Sequence, residues 1–223
     1  MFGIELPVNM SIDLEEGQSD GFYKKGEPHT YQAGIVDESI SLTSTLAVND
    51  SAAGAVDTLS KGDSFSLTGT LDTAPIREMM DSKIDKYQVG DLLNQVQVSG
   101  TSVRFTAAFT LPEGTSFNGN ADSVALSGSD AFEIADVKAD GNQILVTMDL
   151  KDASSITNLQ QLHDIANAGS GALKLTVDGC QVTDAAAVNT ELPVSALVNG
   201  DFNARATFEN GAYYDIHFAM AAP

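Results

Sequence analysis

Phe2, Ile4, Leu6, Val8, Met10, Ile12 and Leu14 are apolar, while Glu5, Pro7, Asn9, Ser11 and Asp13 between them are polar or turn-forming. A period of two puts one apolar and one polar edge on an extended segment, which is the pattern of a half-buried β-strand. The alternation predicts further strands over 31–36 and at Ile40, Leu42, Leu46 and Val48, then at Phe65, Leu67 and Leu71. Others are expected around 92–98, over 103–111, and over 124–126 and 132–137. Ile144, Val146, Met148 and Leu150 form another, and Leu173, Leu175 and Val177 a strand that turns at Asp178-Gly179. The last two runs are Phe202, Ala204, Ala206, Phe208 and Tyr214, Ile216, Phe218, Met220, joined by a hairpin turn at Asn210-Gly211. Asp140-Gly141 or Gly141-Asn142 marks a second hairpin.

The period changes twice. Ile76, Met79, Met80, Ile84 and Tyr87 are spaced by three and four behind Thr73-Ala74-Pro75, which predicts a short helix over about 75–87 with Thr73 as its cap. Ile156, Leu159, Leu162 and Ile165 predict a second over about 154–167, stopped at Gly169. The order strand, helix, strand therefore occurs twice and raises the question of an internal duplication. Many short alternating strands with polar turns, and two helices to bridge them, point to a mainly β fold: an antiparallel β-sandwich. A doubly wound α/β fold is disfavoured, since its buried strands read as continuous apolar runs.

The chain has 223 residues, long enough for one β unit or for an N-terminal segment 1–57 packed on a main sandwich 58–223. The small polar run 49–55 is the candidate link between them. Charge is the unusual quantity: 31 Asp and Glu against 11 Lys and Arg give −20. Such a surface repels nucleic acid and anionic membranes; it reads as a solvated acidic surface, with carboxylates that collect a cation or meet a basic partner as the sharper alternative. No run approaches the roughly 20 apolar residues of a membrane span, so membrane insertion is not expected. There is no basic-then-apolar leader, which reads as an excised mature portion of an extracellular or cell-wall protein. Cys180 is the sole cysteine, read as a small buried hydrophobe, and excludes an intramolecular disulfide.

Chemistry is sparse. There is no Gly-x-Ser-x-Gly, no Ser-x-x-Lys, and no phosphate or dinucleotide loop. His29, His163 and His217 make no metal-ligand pair, and His163 falls on the inner side of the second helix as a packing residue. Trp is absent and aromatics are 7%, which leaves little for stacking sugars. No catalytic residue and no cofactor are assigned. Loops 118–122 and 136–142 gather oxygen ligands, making Asn118, Asp122, Asp136 and Asp140 weak calcium candidates beside their ordinary reading as turn residues. Tyr213, Asp215 and His217, on the outward side of the last strand, are the ligand-patch candidates, beside their ordinary reading as chance surface composition.

Residues 105–114 (Phe-Thr-Ala-Ala-Phe-Thr-Leu-Pro-Glu-Gly) resemble ectodomain modules of Gram-positive cell-wall-anchored surface proteins. So do residues 61–68 (Lys-Gly-Asp-Ser-Phe-Ser-Leu-Thr) with the Pro75-led helix after them; the resemblance covers about 60–223. It implies an Ig-like or adhesin-like β-sandwich that serves as a stalk or a ligand-binding tip. Two features depart from it: Leu111-Pro112-Glu113-Gly114-Thr115 is not a sorting signal, and no pilin-type Tyr-Pro-Lys-Asn occurs. The Lys–Asn crosslink known in such modules needs an inward lysine, whereas Lys174 faces out and the other lysines are expected in turns, loops or on helix surfaces. The expectation is a non-enzymatic surface, adhesin or structural module whose partner is a host or cell-surface protein or a glycan. A glycan- or small-ligand-binding sandwich is the alternative.

Overall fold

The computed structural model describes residues 8–11, 30–51, 58–168 and 171–223. Two sheets and two helices account for the fold. The larger sheet has seven strands. In chain order they are β1 (Val8–Ser11), β2 (Thr30–Ser41), β5 (Gln97–Thr110), β8 (Phe132–Asp140), β9 (Gln143–Leu150), β11 (Ser195–Thr207) and β12 (Tyr213–Ala222). Across the sheet they lie in the order β1-β2-β12-β11-β5-β9-β8. The smaller sheet holds β3 (Thr43–Val48), β4 (Ser64–Asp72), β10 (Ala172–Val182), β6 (Thr115–Phe117) and β7 (Val124–Ser127). The short β6 and β7 pair with successive stretches of β10, at Cys180–Val182 and Lys174–Val177 in turn.

The expected antiparallel sandwich holds with one correction: β12 pairs with β2 in parallel, Tyr213 beside Ala33 through Ala221 beside Ser41. Segments some 180 residues apart in sequence meet there, and no local turn signal announces such a pairing. Only Leu42 separates β2 from β3, so one extended run leaves the large sheet and enters the small one. Leu42 is buried, and its N–H donates to the Ala221 carbonyl at 2.7 Å. The strands of the first 57 residues are thus hydrogen-bonded into both sheets, β2 to β12 and β3 to β4. Of the first run, Val8–Ser11 is the part that pairs with β2; its remaining positions, and His29, lie outside the described residues.

Other boundaries move for local reasons. The strands expected at 92–98 and 103–111 are one 14-residue strand, β5. Gly100 at φ +64° takes the bulge that lets it continue, where its register to β11 shifts between Asn203 and Arg205. The region around Leu92 is a single 3₁₀ turn instead. Asp178-Gly179 is likewise a bulge inside β10 and not a turn, with Gly179 at φ +88°. Helix α1 (Ala74–Lys86) sits close to its expected span, but Thr73 makes no side-chain cap. Asp72 supplies it, its Oδ1 accepting from the Ala74 N–H at 2.9 Å. Helix α2 (Leu159–Asn167) starts later than expected. The Thr157 carbonyl accepts from the Val98 N–H, so the chain before the helix is held extended against β5. Asn158 then caps α2 through the Gln161 N–H.

The two strand–helix–strand units run in opposite senses. Helix α1 leads from the small sheet (β4) to the large one (β5), whereas α2 leads from the large sheet (β9) back to the small one (β10). Both are crossovers between layers. The core lies between the sheets, where Phe105, Phe109, Ile144, Val146 and Met148 of the large sheet meet Leu67 and Val177 of the small one. Gly69 of β4 leaves room for the Phe109 ring, whose atoms lie 3.1 Å from where a Cβ would stand. Lys83 corrects the expectation that the helix lysines lie on the surface. It is mostly buried and pairs with Glu38 on the inward side of β2.

Gly200 of β11 lies beside the fully buried Phe105 ring, and a Cβ there would stand 2.5 Å from it. Gly200→Ala is therefore expected to destabilise the protein by about 1–3 kcal/mol through overpacking, although alanine normally favours a strand over glycine. Urea denaturation read by circular dichroism measures it. Cys180 is fully buried, and burial, helped by nearby Asp178, pushes its thiol up to about 11. The folded protein should not react with Ellman's reagent at pH 8, whereas protein in guanidinium chloride should release one equivalent of thiolate.

Candidate functional site on the outer face of the large sheet

Alternate residues of β12 place Tyr213, Asp215 and His217 on the sheet's outer face. Neighbouring strands add to them by register. Arg205 of β11 lies opposite Asp215 and forms a two-pronged ion pair, Nε to Oδ1 at 2.6 Å and Nη2 to Oδ2 at 2.9 Å. Its guanidinium also covers the Tyr213 ring, 4.4 Å from the centroid. Ile35 of β2, opposite Asp215 on the other side, is 48% exposed. Arg205, Asp215, Tyr213 and Ile35 thus combine a fixed charge pair with apolar surface.

His217 is held between two carboxylates. Its Nδ1 lies 2.9 Å from Asp37 Oδ1 on β2, and its Nε2 lies 3.3 Å from Asp201 Oδ1 on β11. A neutral imidazole has one N–H to donate, while the protonated ring has two and serves both carboxylates. The hydrogen bond to Asp37, and then that to Asp201, accordingly raise the pKa of His217 above the ordinary histidine value. One strand further, Arg104 of β5 pairs with Asp149 of β9 through two bonds of 2.7 and 2.6 Å. Arg104 lies opposite Asp201 in the register. The arginines hold Asp149 and Asp215 below the usual carboxylate range. Across five strands, from Asp37 on β2 to Asp149 on β9, the face therefore carries cations laced between acids.

Part of this arrangement was readable from the hairpin. An Asn210-Gly211 turn that pairs Thr207 with Tyr213 also sets Arg205 opposite Asp215. Asp37 lies 180 residues from His217 and joins it through the parallel β2–β12 pairing. Arg104, Asp149 and Asp201 likewise depend on sheet order.

The calcium candidates are not brought together. Asn118 follows β6, where its Nδ2 donates to Gln181 Oε1 at 3.3 Å. Asp122 lies in a 3₁₀ turn whose cap is Asn120. Asp136 pairs with Lys138 at 2.5 Å on β8, and Asp140 ends that strand. Among the described residues no group of three His, Cys, Asp or Glu is placed to hold a metal ion. His163, between the helices, bonds Asp81 of α1 through Nε2 at 3.1 Å. Also among the described residues, no helix is long and apolar enough to cross a membrane.

The raised pKa of His217 has a signed consequence. A group whose pKa rises on folding adds stability that is complete below its unfolded value, near 6.5, and is lost as pH climbs through the folded value. Thermal stability should therefore fall between about pH 6 and 8 by roughly 0.2–1 kcal/mol, the size of an exposed ion pair. His217→Gln should flatten that slope. Melting temperatures of both proteins across the range check it, and equal slopes would refute the assignment.

No family model matches the sequence. No curated protein sequence matches it. Among solved structures the fold is similar to BcpA (D312A), the major pilin subunit of Bacillus cereus, with a TM-score of 0.32 and 10% identity. That likeness covers 96% of this chain and 47% of the pilin, so the chain spans about half the pilin's length. It is also similar to ACE19, the collagen-binding subdomain of the Enterococcus faecalis surface protein ACE, with a TM-score of 0.26 and 7% identity over 74% of this chain and 90% of that one. Neither likeness is close enough to fix a family.

Proposed function

We propose that this chain is a non-enzymatic extracellular module of adhesin or structural type, which meets a host or cell-surface protein through the outer face of its large sheet. The observation that carries the reading is the layout of that face. Arg205, Tyr213 and Ile35 stand together there, flanked by the Arg104–Asp149 and Asp37–His217–Asp201 groups. Arginine and tyrosine are the residues over-represented where protein interfaces concentrate their binding energy, and an exposed isoleucine adds apolar area. The surrounding charges, held in fixed geometry by cross-strand pairing, set register and approach. The net charge of −20 selects a basic partner surface. Stacking of a sugar on Tyr213 is opposed by the guanidinium that already lies over its ring.

Surface plasmon resonance of the immobilised chain against a panel of basic extracellular-matrix proteins and a glycan array tests the reading. Saturable binding to a protein is expected, weakening as salt rises. The double variant Arg205→Ala, Tyr213→Ala should weaken it at least about tenfold, a loss of ~1.4 kcal/mol. A protein partner bound equally well by the variant would overturn the choice of face. Saturable binding to glycans alone would overturn the class of partner.

A further inference from the structure

Two cavities of about 70 Å³ each lie beneath the helices, against the inner face of the large sheet. Ile76, Ile165 and Phe132 help wall the first, and Val36, Phe208 and Tyr214 the second. Met80, Leu162 and Phe202 belong to both walls and form the partition between them. Of these, Met80 is unbranched with three rotatable bonds, the side chain best able to swing aside and join the chambers. A water needs two to four polar partners, so chambers with such walls favour hydrocarbon over water. Lining atoms that face empty space also lose dispersion contacts that a hydrocarbon would restore. An apolar cavity of roughly 150 Å³ holds a benzene ring, and the joined chambers are of that order.

A second, independent feature stands at the rim of the second chamber. Glu38 lies on the inward side of β2, two residues from Val36 and two from Ile40, opposite Phe218 in the register. Lys83 of α1, which lines the chamber, reaches it; their side chains are 18% and 32% exposed for Lys83 and Glu38. An ion pair so placed contributes little net stability compared with an apolar pair of the same volume. Packing alone gives no reason for a cation at the mouth of an apolar space. A ligand with an apolar tail and an anionic head does.

We propose that the space under α1 and α2 binds a single-chain amphiphile with an anionic head. The tail occupies the chambers, joined by movement of Met80, and the head takes the place of the Glu38 carboxylate on Lys83. Glu38 then turns to solvent. This site lies on the inner side of the large sheet, so its test is separate from that of the outer face.

Calorimetric and thermal-melt titrations of the whole chain use three probes with the same tail: octanoate, octanol and octyltrimethylammonium. Octanoate should bind saturably and raise the melting temperature, at least about tenfold tighter than octanol, with the cation weakest. Lys83→Met should bind octanoate no better than octanol. Ala206→Leu, which fills the second chamber from β11, should abolish octanoate binding while leaving the circular dichroism spectrum unchanged. If Ala206→Leu does not fold, the Met80 methyl resonance of the wild-type protein decides, and it should shift with octanoate in step with the calorimetric saturation. No saturable binding of octanoate to the wild-type chain, or an unmoved Met80 methyl, would overturn the proposal. So would octanoate binding by folded Ala206→Leu equal to wild type, since that marks adsorption to the surface. Equal affinity for octanoate and octyltrimethylammonium would overturn the role of Lys83.

Discussion

A seven-stranded sheet facing a smaller one leaves part of its apolar inner face without a partner, and that surplus shapes the rest of the molecule. Where the sheets overlap, Phe105, Phe109, Ile144 and Val146 are buried against strands such as β4 and β10. Elsewhere the exposed apolar face would cost about 25 cal/mol for each Å² left in water. Helices α1 and α2 cover it, and they are also the connections that carry the chain between layers. A helix repeats every 3.6 residues and a strand every two, so their side chains interlock less completely than two pleated faces do. The chambers lie at that junction, under the helices, the first reaching Leu173 of the small sheet.

The same layering separates two kinds of polar chemistry. On the outer face of the large sheet, cations and carboxylates meet across strands in water, where each pair contributes little to stability and fixes the geometry of a surface. On the inner side, Lys83 and Glu38 meet near the margin of the helix layer in a poorer solvent. The first arrangement suits recognition of a broad partner. The second suits a small molecule with one charged end. A single sheet thereby offers two surfaces of different character, held in register by the β2–β12 pairing.

That pairing also ties the ends of the described chain together. Leu42 marks where the run from β2 changes sheets, and its N–H is bonded to Ala221 of β12. Asp37 reaches His217 and Glu38 reaches Lys83 from adjacent residues of β2, one pointing outward and one inward. The alternation of side chains along one strand thus supplies a group to each of the two surfaces.

By itself the sequence determined what local periodicity can express. The mainly β content, the two helices, the Asn210-Gly211 hairpin and the inward sides of β5, β9 and β12 all follow from spacing of apolar residues and from turn chemistry. Tyr213, Asp215 and His217 were placed on one side of a strand by the same rule. Only the tertiary structure decided which strands are neighbours, because backbone hydrogen bonds carry no record of sequence distance. The partners of His217 and Arg104, the parallel β2–β12 pair, the continuation of β5 and β10 through glycine bulges and the late start of α2 all depend on contacts with other elements. Lys83 is the clearest case: its helix position reads as surface, and the packing of α1 against β2 places it beside the inward Glu38.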